Sequence, residues 1–531
     1  MKKFTQLAVL GFALLAAGMP SQAQERPNII VILVDDMGYS DLGCFGSEIQ
    51  TPHLDSLAQA GMLMTDFYNA ARCCPSRASL LTGRYPHQAG IGDMMNKRPY
   101  PAYQGYLNRE SITLAELLKA AGYGTYMTGK WHVGQDSINW PLERGFDRYY
   151  GLIDGANSYF ENRPYRPKQS LSIVLDREKV DLPASYYSTE AYTDRMIGFM
   201  SEHFAQQQGR PFFAYMAYQT PHWPLHAKPE DIRKYKGKYM AGWEHIREER
   251  FNKQKRLGIL PANAELPAAD SDIKSWSALS WPERVQWDEK MAVYAAMIDR
   301  LDQQIGKLVS FLKAEGQLEN SIILFLSDNG ASHETIDKNG FTEEIQSAKT
   351  FPASHPKSFT AYGKMGAAVS NTPYRSYKHW VYEGGNSTCF IAFGPKYIQA
   401  GQLNRRPAHI IDVMPSLAAW GKAAYPSQYK GHQIGKMEGT ALPMLWKEKE
   451  KGKDRILCFE HEGNKAVRKG KWKLVSAYPS KTWQLYDLEK DRQETTDLSA
   501  ANPQVCQELI QAYAQWADRI GVIPFEQLDK K

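Results

Sequence analysis

Asn28-Ile29-Ile30-Val31-Ile32-Leu33-Val34 is an unbroken, mostly β-branched apolar run that stops at Asp35-Asp36. A strand buried on both faces reads this way, and such strands belong to largely parallel sheets. Residues 321–326 repeat the texture and stop at Ser327-Asp328-Asn329-Gly330. Residues 124–127, 212–218 and 389–394 read as further strands. Between them lie helical signals. Residues 51–61 carry Pro52 near their start, and Thr113 with Glu116 forms a capping box for 114–121, which Gly122 ends. Met291, Ile298, Leu301, Ile305, Leu308 and Leu312 recur at helical spacing before Gly316, and 410–420 form a helix containing Pro415. This alternation predicts an α/β fold, a large mainly parallel sheet sandwiched by helices.

The chain has 531 residues, 43% hydrophobic and 23% charged, with Gly and Pro scattered, which excludes collagen-like and disordered classes. Its 64 Lys plus Arg against 58 Asp plus Glu give +6, too small a charge for a nucleic-acid binder of this size. Lys2 and Lys3, the apolar run 7–19 and Ser21-Gln22-Ala23 predict a signal peptide over 1–23. The run is short for a spanning helix, no later stretch approaches 18 uninterrupted apolar residues, and no Cys marks a lipidation point. The reading is an exported protein, periplasmic or secreted, without a transmembrane segment. Six cysteines, Cys44, Cys73, Cys74, Cys389, Cys458 and Cys506, are too sparse for a disulfide scaffold and lack zinc spacing.

Ligand groups gather beyond the carboxyl ends of parallel strands. Taken singly, Asp35-Asp36 and Asp328-Asn329 read as strand-end turns. Brought together, three carboxylates and an amide oxygen need a hard divalent cation between them, Ca²⁺ or Mg²⁺ rather than zinc.

The segment Cys73-Cys74-Pro75-Ser76-Arg77, followed by Leu81-Thr82-Gly83-Arg84, resembles the signature of the type I sulfatases of the alkaline phosphatase superfamily. The resemblance continues in order through Gly129-Lys130-Trp131-His132, Thr220-Pro221-His222, Ser327-Asp328-Asn329-Gly330, Asn371-Thr372-Pro373-Tyr374-Arg375, Lys378 and Glu383-Gly384-Gly385. It implies an alkaline phosphatase-like fold and hydrolysis of sulfate esters. It also implies that Cys73 is oxidised by a separate sulfatase-maturing enzyme to Cα-formylglycine (3-oxoalanine), whereas Cys74 is a small buried side chain. One Ca²⁺, less readily Mg²⁺, would be held by Asp35, Asp36, Asp328, Asn329 and modified residue 73.

In the implied mechanism one hydroxyl of the hydrated aldehyde attacks sulfur with help from Asp328, and His132 then takes the proton of the second hydroxyl as sulfate leaves. A sulfate ester is an anion, so the site must also supply positive charge. Lys130 and Lys378 fit the nonbridging oxygens, Arg77 the hydrate, and His222, with Lys378, the protonation of the leaving oxygen. Lys130, His222, Lys378, Trp223, His226 and His333 are the expected substrate contacts, with His461 a weaker candidate for the cleft wall.

The expected organisation is a catalytic domain over 24–446, with an insertion over 224–287, and a C-terminal subdomain over 447–531. The subdomain begins with a charge run at 447–454, continues as short antiparallel strands at 456–460, 466–468, 472–476 and 483–487, and ends in a helix at 503–520. The insertion holds ten basic against five acidic residues between 228 and 256, with Trp223, Trp243, Trp276, Trp281 and Trp287 in or beside it. This composition suits a sulfated carbohydrate, and equally a helical excursion pinned by its tryptophans. Two other functions are consistent with the residues: a phosphodiester or phosphonate monoester hydrolase of the same superfamily, and an inactive sulfated-glycan binding protein.

Overall fold

The computed structural model describes residues 26–447 and 455–528, apart from 170, 208, 337–340 and 349. The segment 1–23 and nearly all of the charge run 447–454 lie outside the described residues.

Among the described residues the main sheet has eleven strands. In chain order they are β1 (Asn28–Val34), β2 (Met62–Tyr68), β3 (Gly124–Gly129), β4 (Arg148–Leu152), β5 (Ile173–Leu175), β6 (Glu178–Lys179), β7 (Phe212–Ala217), β8 (Ser321–Ser327), β9 (Ser387–Phe393), β10 (Gln402–Asn404) and β11 (Ala408–His409). The spatial order is β10-β2-β9-β8-β1-β7-β3-β4-β5-β6, with β11 also on β2. β8, β1, β7, β3 and β4 are mutually parallel, while β9, β5 and β6 run antiparallel to their neighbours. The register Ile30↔Ile323 and Val34↔Ser327 carries both oxygen-rich strand ends to the same edge of the sheet.

Every residue of β1 is buried, and its faces divide with period two. Ile30, Ile32 and Val34 join a core with the 34-residue helix Trp281–Ala314, whereas Ile29, Val31 and Leu33 meet the helices Cys73–Thr82, Leu114–Ala120 and Val413–Gly421. The helix predicted over 410–420 splits into a 3₁₀ turn at Ile410–Asp412 and Val413–Gly421. Pro415 therefore falls in the first turn, where its missing N–H costs no hydrogen bond.

After a short ribbon, β12 (Gln428–Tyr429) with β13 (His432–Gln433), the chain forms an antiparallel sheet of β14 (Ile456–His461), β15 (Asn464–Lys469), β16 (Trp472–Ser476) and β17 (Trp483–Asp487). The amphipathic helix Pro503–Ile520 lays Leu509, Tyr513, Trp516 and Ile520 onto Val467, Leu474 and Leu485. Between the two sheets sits a buried charge network. Lys473 donates to Glu383 (2.8 Å) and pairs with Glu494 (3.0 Å), while Arg492 and the Tyr68 hydroxyl complete the shell of Glu383. The Gly384 and Gly385 that follow lie where any Cβ would strike the carbonyls of Arg375, Ser376, Tyr377 and Trp380.

The region 224–287 contributes the helices Pro229–Tyr235 and Trp243–Arg256. Much of its aromatic content is internal, whereas among its basic side chains Arg247 and Arg250 are buried and Arg233, Lys234, Lys236, Lys238 and Arg256 are exposed. Arg250 is buried against Asp41 (2.7 Å) and Glu48 (2.8 Å), Trp243 and Trp287 are buried, and Trp276 packs edge-on against Trp287. Trp281 is exposed.

Candidate active site

The loops beyond the carboxyl ends of β1, β8, β3 and β7 bring Asp35, Asp36, Asp328, Asn329, Lys130, His132 and His222 together. They meet Cys73 and Arg77 of the helix after β2 and Lys378 of the β8–β9 connection. All are buried.

Arg77 is the organising cation. Its Nη2 and Nε donate to Asp328 (2.8 and 3.1 Å), Nη2 lies 3.5 Å from Asp35, and Nη1 donates to the Lys130 carbonyl. Lys130 donates to Asp35, and Lys378 donates to Asp36 (2.9 Å). Burial raises the Asp328 carboxyl well above the usual range and neighbouring Asp35 adds to it. Burial pushes Asp35 the same way, but Lys130, His222 and Arg77 outweigh it and hold that carboxyl low. Two carboxylates competing for shared cations is what a divalent ion between them would relieve.

Two buried oxygens support the same fit, since Asp35 Oδ1 and Asn329 Oδ1 have no hydrogen-bond partner. Buried polar atoms are rarely left so. With Asp36 and Asp328 they form an all-oxygen donor set of the kind hard cations take.

Local sequence explains the loop geometry. Gly129 (φ 99°) lies against the Ala217 carbonyl, where no side chain fits. Trp131 is fully buried with its indole bonded to Asn139 O (3.0 Å), which anchors the turn that presents Lys130 and His132. Asp36 (φ 65°) and His132 (φ 55°) adopt the left-handed backbone unfavourable to residues with a Cβ, as strained functional positions often do. Asn371 stitches the Lys378 loop together, donating to Ser376 O and Gly384 O and accepting from Ala331 N.

His132 lies beside Cys74 Sγ (3.4 Å) and is neutral at physiological pH, because burial and then Lys130 push its imidazole down to about 4. The hydrogen bond from Cys74, with Lys130 and His132, draws the Cys73 thiol well below its ordinary value despite burial. Gly155 backs the His132 ring so closely that a Cβ there would overlap it. Gly155→Ala is expected to displace this imidazole and lower kcat by about tenfold or more while the circular dichroism spectrum is unchanged. Equal kcat values would show that the ring position is immaterial.

Of the proposed substrate contacts, Trp223 lies half-buried over His222, with ring centroids 4.7 Å apart. His333 is half-buried and packed with Tyr377 and Trp380. His226 is buried with both ring nitrogens engaged by the backbone. Its Nδ1 accepts from Tyr159 N (3.3 Å), its Nε2 donates to Ser358 O (2.6 Å), and Phe160 covers the ring. His461 is likewise fully buried beside His379 and Glu462.

Burial drives the His226 imidazole from 6.5 down to about 4. A depressed folded value means that its contribution is intact above pH 6.5 and is lost as pH falls toward 4, up to about 3 kcal/mol. Urea midpoints between pH 7 and 4 are therefore expected to fall more steeply in the wild type than in His226→Asn. Parallel slopes would reject this residue as a source of acid lability.

One prominent side chain carries no sequence signal. The carboxylate of Glu334, in the loop after β8, binds Arg72 (3.0 Å), the Trp223 indole (2.8 Å) and Lys378 (3.3 Å). It belongs to no recognisable spacing, and only the folded chain shows its partners.

A parallel α/β sheet whose strand ends gather acidic and amide oxygens, a buried arginine and two lysines defines a hydrolase of the alkaline phosphatase-like class. The sequence matches the Sulfatase family over residues 27–423, and the chain belongs to that family and is a sulfuric ester hydrolase. It is 38% identical to an arylsulfatase of Klebsiella aerogenes over 76% of this chain and 88% of that one. To an uncharacterized sulfatase of Schizosaccharomyces pombe it is 32% identical, over 94% and 95%. The crystal structure of Ps i-CgsB superposes with a TM-score of 0.67 at 26% identity, covering 93% of both chains, and that protein has also been seen in complex with k-i-k-neocarrahexaose. No described helix is long and apolar enough to cross a membrane.

Proposed function

We propose that this sulfatase is an exported, periplasmic or secreted enzyme that removes sulfate from sulfated carbohydrates. Cys73 is its Cα-formylglycine precursor, and Asp35, Asp36, Asp328 and Asn329 hold Ca²⁺ together with residue 73. The observation that carries the metal assignment is the pair of buried, unpartnered oxygens Asp35 Oδ1 and Asn329 Oδ1. An irregular set of carboxylate and amide oxygens favours Ca²⁺ over the stricter octahedron of Mg²⁺.

The carbohydrate reading is supported by half-buried Trp223 and Trp380 beside the site and by glycan-directed relatives. Among these is the mouse N-acetylgalactosamine-6-sulfatase, 29% identical over 77% of this chain, although this chain covers only 64% of that protein.

The cation and the hydrated aldehyde would supply the positive charge and the attacking oxygen that an anionic ester requires. The protein's own groups do the rest. Lys130 and Lys378 bind the nonbridging oxygens, and burial opposes both ammonium groups but Asp35 and Asp36 keep them charged. Arg77 fixes the orientation of Asp328. His132, held neutral, accepts a proton, and His222 Nε2, 3.3 Å from Lys378, delivers one to the leaving oxygen.

Metal analysis of the matured protein is expected to find about one calcium per chain. Chelation should abolish sulfate release from a panel of sulfated mono- and oligosaccharides, and Ca²⁺ should restore it. Failure to release sulfate from any saccharide overturns the substrate assignment, and a co-purifying transition metal overturns the cation.

A further inference from the structure

A carboxylate is an unexpected component of a site built to receive an anion, and Glu334 stands within reach of a lysine assigned above to the sulfate group. Its Oε2 accepts from the Trp223 indole (2.8 Å), Ser332 Oγ (3.3 Å) and Lys378 Nζ (3.3 Å), and its Oε1 accepts from Arg72 Nη1 (3.0 Å). The groups it holds converge on His222. The Trp223 ring lies over the imidazole, and the Trp223 carbonyl accepts from His222 Nδ1 at 2.6 Å. That bond makes Nδ1 the donor on this side and turns Nε2 toward the site, where it lies 3.4 Å from Asp36 Oδ2. Nε2 faces Lys378 at 3.3 Å, the same ammonium that Glu334 binds.

We propose that Glu334 is a positioning residue for proton delivery to the leaving oxygen, acting through Trp223 on the orientation of His222 and through Lys378 on the group beside its reactive nitrogen. This rests on the role given to His222 under the proposed function. One carboxylate thus spans both supports of the proton donor, and an isosteric amide cannot replace it. A glutamine keeps one acceptor oxygen but loses the charge that draws Arg72 and Lys378 to the same side chain.

A positioning role makes the penalty depend on the leaving group, because a good leaving group departs without a proton and a poor one does not. The test compares 4-nitrophenyl sulfate with phenyl sulfate on matured wild type, Glu334→Gln and Trp223→Phe. Trp223→Phe keeps an aromatic ring but removes the N–H that Glu334 binds. In Glu334→Gln, kcat/KM for phenyl sulfate is expected to fall about 100-fold and for 4-nitrophenyl sulfate less than about fivefold, at an unchanged calcium content. Trp223→Phe is expected to show the same bias at smaller size, and it carries the test if the glutamine variant does not fold. Equal losses on both esters, or no loss on either, would overturn the proposal. The function itself is checked separately, since wild-type protein that releases no sulfate from either ester or from the saccharide panel refutes that reading before Glu334 is considered.

Discussion

Cys73→Ala is expected to lower sulfate release by about 10⁵-fold, the loss typical when an enzyme is deprived of its nucleophile. Alanine fits the buried N-terminal turn of the helix Cys73–Thr82 with little strain, and its helix propensity is the highest. The thermal midpoint should therefore move little, and affinity for a sulfated saccharide, measured by calorimetry, should remain near that of the parent. That combination separates chemistry from binding. The tryptic peptide containing residue 73 gives an independent check, because conversion to the aldehyde replaces sulfur by oxygen with loss of two hydrogens and leaves the peptide lighter than its cysteine form. Unchanged turnover in the alanine variant would reject the nucleophile assignment.

Lys473→Ala is expected to be the most damaging substitution for stability. Its ammonium is buried between Glu383 and Glu494. Burial and the nearness of Glu383 raise Glu494 to about 7, whereas Glu383 is held near 2 because Lys473, Arg492 and Arg468 overcome its burial. Removing the lysine leaves two buried carboxyls short of a counter-charge, a loss of about 3–5 kcal/mol. Chemical denaturation is the measurement, and a change below about 1 kcal/mol would show that the arginines suffice. Lys473→Met, which keeps the volume, should be nearly as costly, because the defect is charge rather than a cavity.

The central strands were legible because burial on two faces leaves no polar position, as in 28–34 and 321–326, and because their acidic ends broke that pattern abruptly. β2 was not, since Thr65-Asp66 interrupts its apolar run at the point where its pairing with β9 shifts register. The buried position of His226 was equally invisible, because only the fold supplies Tyr159 N and Ser358 O as its partners. The site residues that belong to ordered motifs could be named in advance from the resemblance. Glu334 could not, because a lone acidic residue in a loop acquires meaning only from the lysine, tryptophan and arginine that converge on it. The basic and aromatic texture of 224–287 pointed two ways, and the enclosure of Trp243 and Trp287 assigns much of the aromatic part to packing, while Arg233, Lys234, Lys236, Lys238 and Arg256 remain exposed.

Only 2% of Cys73 is accessible, and every residue of its helix is enclosed, in a core shared with Phe67 of β2, Trp131 and Phe390 of β9. No second protein could grip that thiol once the chain has closed. If Cys73 is the formylglycine precursor proposed above, its conversion has to precede folding, and slowing the closure of β9 over it should raise the fraction converted.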